Sequence, residues 1–275
     1  MTLLHAFLLG IIQGLTEFIP VSSTAHLLIG QKLLGLPAND AMFSFLVLVQ
    51  IGTILSLFIY FWKDLTAIFM DTLKNLGGLR DFKSLPENAQ MGWYILIATI
   101  PALVAGYLLK DAVEALFRQP LLEAAIRLFA AAILLSLAEW LGRKDRKLDS
   151  MTWLDALVVG LFQIIAVFPG ASRSGSTISG GMLRGFDRPS AARFAFLMSV
   201  PVMLAAGAYE MLDVVHMPGL AEFLPALAVG FITAAIVGWL AVRWLLSYLS
   251  KHSLYTFSVY CAVVGVIVLA FHFVL

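Results

Sequence analysis

The sequence predicts an all-α polytopic membrane protein in which six transmembrane helices and two re-entrant helix pairs form an inverted-topology internal repeat. Composition is the first observation behind this: 61% of the residues are hydrophobic and 13% charged, with a mean hydropathy of +0.93, far from the balance of a water-soluble domain. The second is a set of apolar runs of about 20 residues, the length at which a helix crosses a bilayer. The third is a pair of short apolar stretches broken by polar residues. Gly10 to His26 reads GIIQGLTEFIPVSSTAH, and Gly160 to Thr177 reads GLFQIIAVFPGASRSGST. Gly10 and Gly160, Gln13 and Gln163, Phe18 and Phe168, and Ser22 and Ser172 stand in one register, with Pro20 and Pro169 offset by one position. In lipid, an unwound Gly/Pro-interrupted segment survives only inside protein or along a water-filled cavity, and a matched pair points to a site at the repeat interface.

Taken in order, residues 2–34 are too long for one simple helix and break at Pro20, so they read as a re-entrant pair that enters and leaves on one side. Spans follow at 41–62, 92–109 and 121–141, with 73–90 as a connection carrying Asn75-Leu-Gly-Gly and Leu85-Pro-Glu-Asn. Residues 152–183 repeat the broken pair, and spans follow at 190–212, 223–248 and 254–275. The single membrane domain thus divides into halves 1–150 and 151–275. One pair plus three spans per half is an odd number of crossings, which inverts the second half. Phe43-Ser-Phe-Leu and Phe194-Ala-Phe-Leu echo each other at nearly the same offset.

Charge supports this topology, because Lys and Arg concentrate on the cytoplasmic side. Lys63, Lys74, Arg80, Lys83, Arg143, Lys144, Arg146, Lys147, Arg184, Arg188, Arg193, Arg243 and Lys251 fall on one side, against Lys32, Lys110 and Arg118 on the other. Both termini are therefore expected outside, with the tips of the two re-entrant pairs meeting near the bilayer midplane. The net charge of +1 gives no whole-chain attraction to nucleic acid, so anion recognition has to be local. Cys261 lies in an apolar run and is expected to pack as a small hydrophobe. The opening MTLLHAFLLG lacks a basic n-region, so no cleaved signal peptide is expected.

Chemistry begins at Glu17, an acid inside apolar sequence, where a carboxylate has to pair, bind a cation or carry a proton. Gln13 lies four residues upstream, on the same helical face. After Pro20 come Ser22, Ser23, Thr24 and His26; the hydroxyls suit a returning helix start, and His26 is three residues beyond Ser23, in reach in principle of its proton. The second cluster holds Ser172, Arg173, Ser174 and Thr177. Here Gly, Pro and hydroxyls converge at a helix start, and Arg173 offers a rigid fork for phosphate oxygens. Ser and Thr in membrane helices commonly bond only their own backbone, and Glu17 has an alternative reading as the structural counter-ion of Arg173. Gln50, Gln163, Glu139 and Arg127 read as interhelical or interfacial groups, although Gln50 is also placed to line the cavity. There is no His/Cys metal cluster, Walker loop or dinucleotide fingerprint.

Gln13-Gly-Leu-Thr-Glu17-Phe-Ile-Pro-Val-Ser-Ser-Thr-Ala-His26 and Pro169-Gly-Ala-Ser-Arg-Ser-Gly-Ser-Thr177 resemble the two signatures of bacterial undecaprenyl pyrophosphate phosphatases, and the resemblance extends over nearly the whole chain. It implies a hydrolase that converts undecaprenyl pyrophosphate to undecaprenyl phosphate and inorganic phosphate, recycling the lipid carrier of cell-wall synthesis and conferring bacitracin resistance when abundant. It implies a multi-pass protein of the bacterial plasma membrane with its site open to the outer face, and dependence on a divalent cation, Mg2+ or Ca2+. Carried over by position, Glu17 and Gln13 stand at the acidic, metal-linked motif, and Ser23 and His26 at the chemical step. Arg173, with Ser22, Thr24, Ser172, Ser174 and Thr177, surrounds the pyrophosphate. Many members carry Glu where this chain has Gln13, which removes one carboxylate from a metal site. The attacking group is either Ser23 or a water activated by His26 or Glu17.

Broken helices in inverted repeats also build secondary transporters, so a lipid-phosphate carrier or flippase is the alternative. The partners expected are the polyprenyl pyrophosphate lipid and the bilayer. Small-residue faces at Gly180-Gly181 and Ala205 to Ala208 suit either internal packing or a homodimer.

Overall fold

The computed structural model describes residues 1–37, 39–109, 120–167, 172–214 and 220–274. Lys110, Arg118, Phe168 and Pro169, used in the sequence reading, lie outside the described residues. The described residues form eleven α-helices: α1 (Leu3–Phe18), α2 (Ser23–Leu33), α3 (Asp40–Tyr60), α4 (Trp62–Lys74), α5 (Glu87–Leu108), α6 (Pro120–Leu141), α7 (Trp153–Val167), α8 (Arg173–Leu183), α9 (Arg188–Val214), α10 (Leu220–Leu249) and α11 (Tyr255–Val274), with a 3₁₀ segment at Leu76–Ser84. No strand occurs among them, only an isolated bridge between Arg146 and Phe186. Six segments are long and apolar enough to cross a membrane: Ala41–Tyr60, Glu87–Leu108, Leu121–Leu141, Arg188–Tyr209, Ala221–Leu249 and Tyr255–Phe273. They coincide with the six expected spans to within a few residues.

The two motif segments fold as short antiparallel pairs, α1 with α2 and α7 with α8. Gly30 of α2 lies against Ile12 and Leu9 of α1, and Gly180 of α8 against the ring of Phe162 of α7. The pairs match in detail, since their helices begin and end at nearly corresponding positions of the register that relates Gly10 to Gly160. Each second helix also ends the same way. Gly35 (φ 64°) and Gly185 (φ 90°) take the left-handed conformation, where Gly escapes the Cβ clash. Leu36 N–H then donates to Gln31 O, and Phe186 N–H to Gly181 O, closing the Schellman pattern that satisfies last-turn carbonyls.

Helix starts follow local chemistry. Thr2 accepts from His5 N–H at 3.2 Å, and Asn39 from Met42 N–H at 3.0 Å. Thr152 and Asp155 form a reciprocal capping box at the start of α7, with Asp155 N–H donating to Thr152 Oγ1 and Thr152 N–H to Asp155 Oδ2, so two otherwise orphaned donors are satisfied at once.

Packing relies on small residues that let backbones approach. A Cβ added to Gly10 would lie 2.7 Å from Gly230 O of α10, and one added to Gly160 would lie 2.5 Å from Ala98 O of α5. Helix α10 also packs along α3, where Gly52 faces the Phe231 carbonyl and Ser56 donates to Ala235 O. Helices α6 and α11 run antiparallel, tied by Ser136 to Ser258 and by Leu254 N–H to Glu139. The Gly180-Gly181 face is spent internally, on Phe162 and on Ala191, and Gly207 packs on Ile51.

At one end of the bundle charges interlock. Glu139 accepts from Arg188, pairs with Lys144 at 3.6 Å and caps α11 at Leu254 N–H, which makes it the structural group the sequence suggested. Asp155, fully buried, sits between Arg146 at 2.7 Å and Arg184 at 2.6 Å. Burial pushes its carboxyl up, but hydrogen bonds from Arg146, Thr152 and Arg184 outweigh that and hold it at about 2. Arg193 pairs with Asp64 of α4 at 2.9 Å. Helix α4 itself was not foreseen. The sequence ends the first span at Trp62 and gives the stretch from Leu73 to a connection, but only Phe61 departs from helical geometry there, and Leu65 N–H already donates to Phe61 O. Its polar and apolar residues alternate at helical spacing, with Ile68 and Thr72 buried.

Candidate active site

The site forms where the tips of the two helix pairs meet. Helix α1 delivers Gln13 and Glu17 from one face of its last two turns, four residues apart as helical neighbours must be, and Gln13 Nε2 donates to Glu17 Oε2 at 2.7 Å. The helix stops at Phe18 because Pro20 cannot continue it. A tight turn follows, with Val21 N–H on Ile19 O at 2.7 Å, and then Ser22 at φ 69°. A non-Gly residue in the left-handed region stores backbone strain that its surroundings must hold in place. Ser22 makes no side-chain cap, contrary to the expectation for this hydroxyl; its backbone is turned away from ordinary N-cap geometry. Ser23 opens α2 and donates its hydroxyl to Glu17 Oε2 at 2.7 Å.

Helix α8 begins at the second tip. Ser172 caps it by accepting from Gly175 N–H at 3.2 Å, as the Ser/Gly-rich start anticipates. Arg173, the first helical residue, donates from Nη2 to Glu17 Oε1. Ser174 Oγ lies 3.0 Å from Ser172 Oγ and 3.4 Å from Ile19 O of the opposite tip. Thr177 donates to Arg173 O at 2.8 Å, so its hydroxyl serves the backbone in this state. Thr24 is half-buried in the first turn of α2. Pro169, Gly170 and Ala171 lie outside the described residues.

Glu17 is therefore the hub: 6% exposed, it accepts from Gln13, Ser23 and Arg173. A buried carboxylate demands such compensation. The sequence register that relates Gly10 to Gly160 sets the two tips side by side. Val167 stands where the first half has Glu17, and Arg173 where it has Ser23. One tip supplies the acid and the other the cation. Gln163, the register mate of Gln13, is 2% exposed with neither amide atom hydrogen-bonded.

His26 is not hydrogen-bonded to Ser23. Its Nδ1 lies 2.9 Å from Ser22 O, and its Nε2 lies 2.9 Å from the hydroxyl of Tyr260. The expected nucleophile-base couple on one turn of α2 is replaced by Ser23 on Glu17 and His26 on Tyr260. Tyr260 was missed by the sequence reading; it sits in an apolar span with no motif around it, and only the packing of α11 brings it in. Its neighbour Cys261 is buried, as expected of a small hydrophobe, with Sγ 3.9 Å from Pro20 O.

A hard divalent cation takes oxygen ligands and keeps several waters. The chain offers the Glu17 carboxylate and, beside it, Gln13 Oε1, a buried oxygen without a hydrogen-bond partner. No group of three His, Cys, Asp or Glu occurs among the described residues. This donor set fits a cation that draws its remaining ligands from substrate oxygens and water. For an anion, the start of α8 supplies the positive end of a helix, first-turn N–H groups and the Arg173 guanidinium.

Residues 6–267 match the family described as bacitracin resistance protein BacA. The chain is 42% identical to an undecaprenyl-diphosphatase of Chlorobium phaeovibrioides, over 98% of this chain and 96% of the relative. It is 42% identical to one from Anaeromyxobacter sp. strain K, over 98% and 91%. With one from Mycolicibacterium smegmatis it shares 39% identity over 98% and 96%. The chain belongs to the bacitracin resistance protein BacA family.

Proposed function

We propose that this protein is an integral membrane phosphatase that hydrolyses undecaprenyl pyrophosphate to undecaprenyl phosphate and inorganic phosphate, returning the lipid carrier to cell-wall synthesis and conferring bacitracin resistance when abundant. The observation that carries the reading is the meeting of Glu17, Ser23 and Arg173 at the joined tips of two helix pairs, in a chain whose relatives are undecaprenyl-diphosphatases. A carrier needs an anion cradle but no serine hydroxyl held on a buried carboxylate, and the alternative is not favoured.

In the ligand-free arrangement Arg173 and Glu17 neutralise each other. An arriving pyrophosphate competes for Arg173 with more charge and more oxygens than a carboxylate has. Arg173 then holds the substrate, together with the start of α8 and the hydroxyls of Ser172 and Ser174, and offsets charge at the transferring phosphoryl. Glu17, released from its cation, is the group placed to take the Ser23 proton. Attack by Ser23 Oγ forms a phosphoserine as the bond to the undecaprenyl phosphate oxygen breaks, and water then releases inorganic phosphate. In the competing route Glu17 or His26 activates water directly. Glu17 and Gln13 would hold Mg2+ or Ca2+, which when bound neutralises charge on the pyrophosphate.

The membrane arrangement proposed is an inverted repeat with two re-entrant pairs, both termini outside and the site open to the outer face of the plasma membrane. Its support is the matched bounds of the two pairs, the junction of their tips, and reciprocal packing: α1 on α10 with α7 on α5, and α3 on α10 with α9 on α5. The charged end of the bundle carries the basic residues expected in the cytoplasm.

The deciding experiment is phosphate release from a C55 prenyl pyrophosphate by the purified protein, with Ser23→Ala and brief incubation with label in the distal phosphate. Release by the wild type and a trapped phosphoserine at Ser23 support the covalent route. Full activity in Ser23→Ala sinks that route, and no release from well-folded wild type sinks the phosphatase.

A further inference from the structure

We infer that Tyr260 is a positioning residue for His26, holding its ring plane and tautomer from a different helix; this rests on the reading that His26 belongs to the phosphatase site. The Tyr260 hydroxyl lies 2.9 Å from His26 Nε2, and the two ring planes are parallel to within 8°, with centroids 5.7 Å apart. The hydroxyl thus lies within hydrogen-bond distance of Nε2 while the two rings keep parallel planes. The other nitrogen sets the direction of that bond. Nδ1 lies 2.9 Å from Ser22 O, and a backbone carbonyl only accepts, so Nδ1 carries a proton in either charge state of the ring. In the neutral ring Nε2 is then the acceptor and Tyr260 O–H the donor. In the imidazolium Nε2–H donates, and the same hydroxyl accepts. Tyr260 thus serves both protonation states without moving the ring, which Phe or Leu at that position cannot do.

The support for Tyr260 is rigid. Two residues earlier on α11, Ser258 donates to Ala132 O at 2.8 Å and lies 2.6 Å from Ser136 Oγ, which fixes the height of α11 on α6. The adjacent Cys261 is packed against Pro20 in the tip of the first pair. The strained Ser22, whose carbonyl also receives the His26 backbone N–H at 3.2 Å, fixes the other side of the ring. His26 therefore has both nitrogens engaged by groups outside the Glu17 cluster. That division leaves the Ser23 proton to Glu17 and gives His26 a separate task in the same site.

The test is steady-state hydrolysis of the C55 pyrophosphate by wild type, Tyr260→Phe, His26→Gln and the double variant, scaled to the monodisperse protein recovered from size-exclusion chromatography. Tyr260→Phe keeps the ring and removes only the hydroxyl. It is expected to lower kcat about tenfold or more, within the range of losses when a group orienting a site imidazole is removed, with KM within about twofold. In the His26→Gln background the same change should have less than a twofold effect, because a residue acting through His26 has nothing left to act on. An unchanged kcat in Tyr260→Phe beside an impaired His26→Gln overturns the proposal, as does a loss that multiplies with that of His26→Gln. Full activity in His26→Gln overturns instead the assignment of His26 to the site.

Discussion

Arg173 at the first position of α8 donates to Glu17 at the last turn of α1, so the two tips are joined by an ion pair whose members come from opposite halves of the chain. Glu17 is buried and Arg173 keeps 19% of its side chain exposed. The acid is thus sheltered while the cation remains reachable by an anion.

That asymmetry sets an expectation for single and double variants. Arg173→Ala should abolish phosphate release, a loss of about a thousandfold or more for an arginine that meets a transferring phosphoryl. It should also destabilise the protein by roughly 3 kcal/mol, because Glu17 is left buried without its cation. Adding Glu17→Gln should recover most of that stability and none of the activity. Thermal unfolding in detergent, measured beside phosphate release, checks both; a double variant less stable than Arg173→Ala contradicts the pairing.

Gln13 governs the proposed cation. Gln13→Glu places a second carboxylate beside Glu17, so the concentration of Mg2+ or Ca2+ giving half-maximal activity should fall by about tenfold, as added ligand charge tightens hard-cation sites. Chelation should stop turnover in both proteins. A titration of activity against free metal decides, and an unchanged midpoint removes Gln13 from the metal site.

Gly10 and Gly160 should respond alike. A methyl at either would press on a backbone carbonyl, at 2.7 Å and 2.5 Å, and carbonyls on long helices cannot step aside. Gly10→Ala and Gly160→Ala are each expected to cost about 1–3 kcal/mol by overpacking. Tolerance of one and not the other, read from melting temperatures, would argue against equivalent crossings in the two halves.

Asp155 is a structural acid and should behave as one. Asp155→Ala leaves Arg146 and Arg184 without their carboxylate, and because both are partly exposed the expected loss is roughly 2–3 kcal/mol. Its folded carboxyl lies at about 2 against an ordinary 3.8, so its stabilisation is fully present above about pH 4 and is lost as the pH falls toward 2. The stability gap between wild type and Asp155→Asn should therefore be flat between pH 8 and pH 5. A gap that shrinks in that window would mean that the carboxyl titrates far higher.

Much of the candidate site was legible along the chain, but its wiring was not. Gln13 and Glu17 meet as their spacing implies, since a helix makes neighbours of residues four apart. Ser23 and His26 are also near one another by spacing, yet each side chain finds a better partner elsewhere: a buried carboxylate draws the hydroxyl, and Tyr260 draws the imidazole. Thr177 shows the reverse case, a motif residue whose hydroxyl turns to its own helix, as hydroxyls in apolar surroundings commonly do. Helix α4 escaped because charge at Lys63 and Asp64 marked the end of a span, and hydropathy does not distinguish a span that ends from one that turns.

The sequence by itself determined the six long apolar helices, the two broken pairs and the candidate residues of the site. These follow from constraints local to the chain: about 20 apolar residues to cross a bilayer, proline and glycine to end a helix, hydroxyls to begin one. Only the tertiary structure decided that Glu17 binds Arg173 and Ser23 together, that His26 answers to Tyr260, and that the two tips share one centre. A hydrogen bond requires donor and acceptor within about 3 Å, and for residues far apart in the chain that distance is set by which helices their small residues allow to pack.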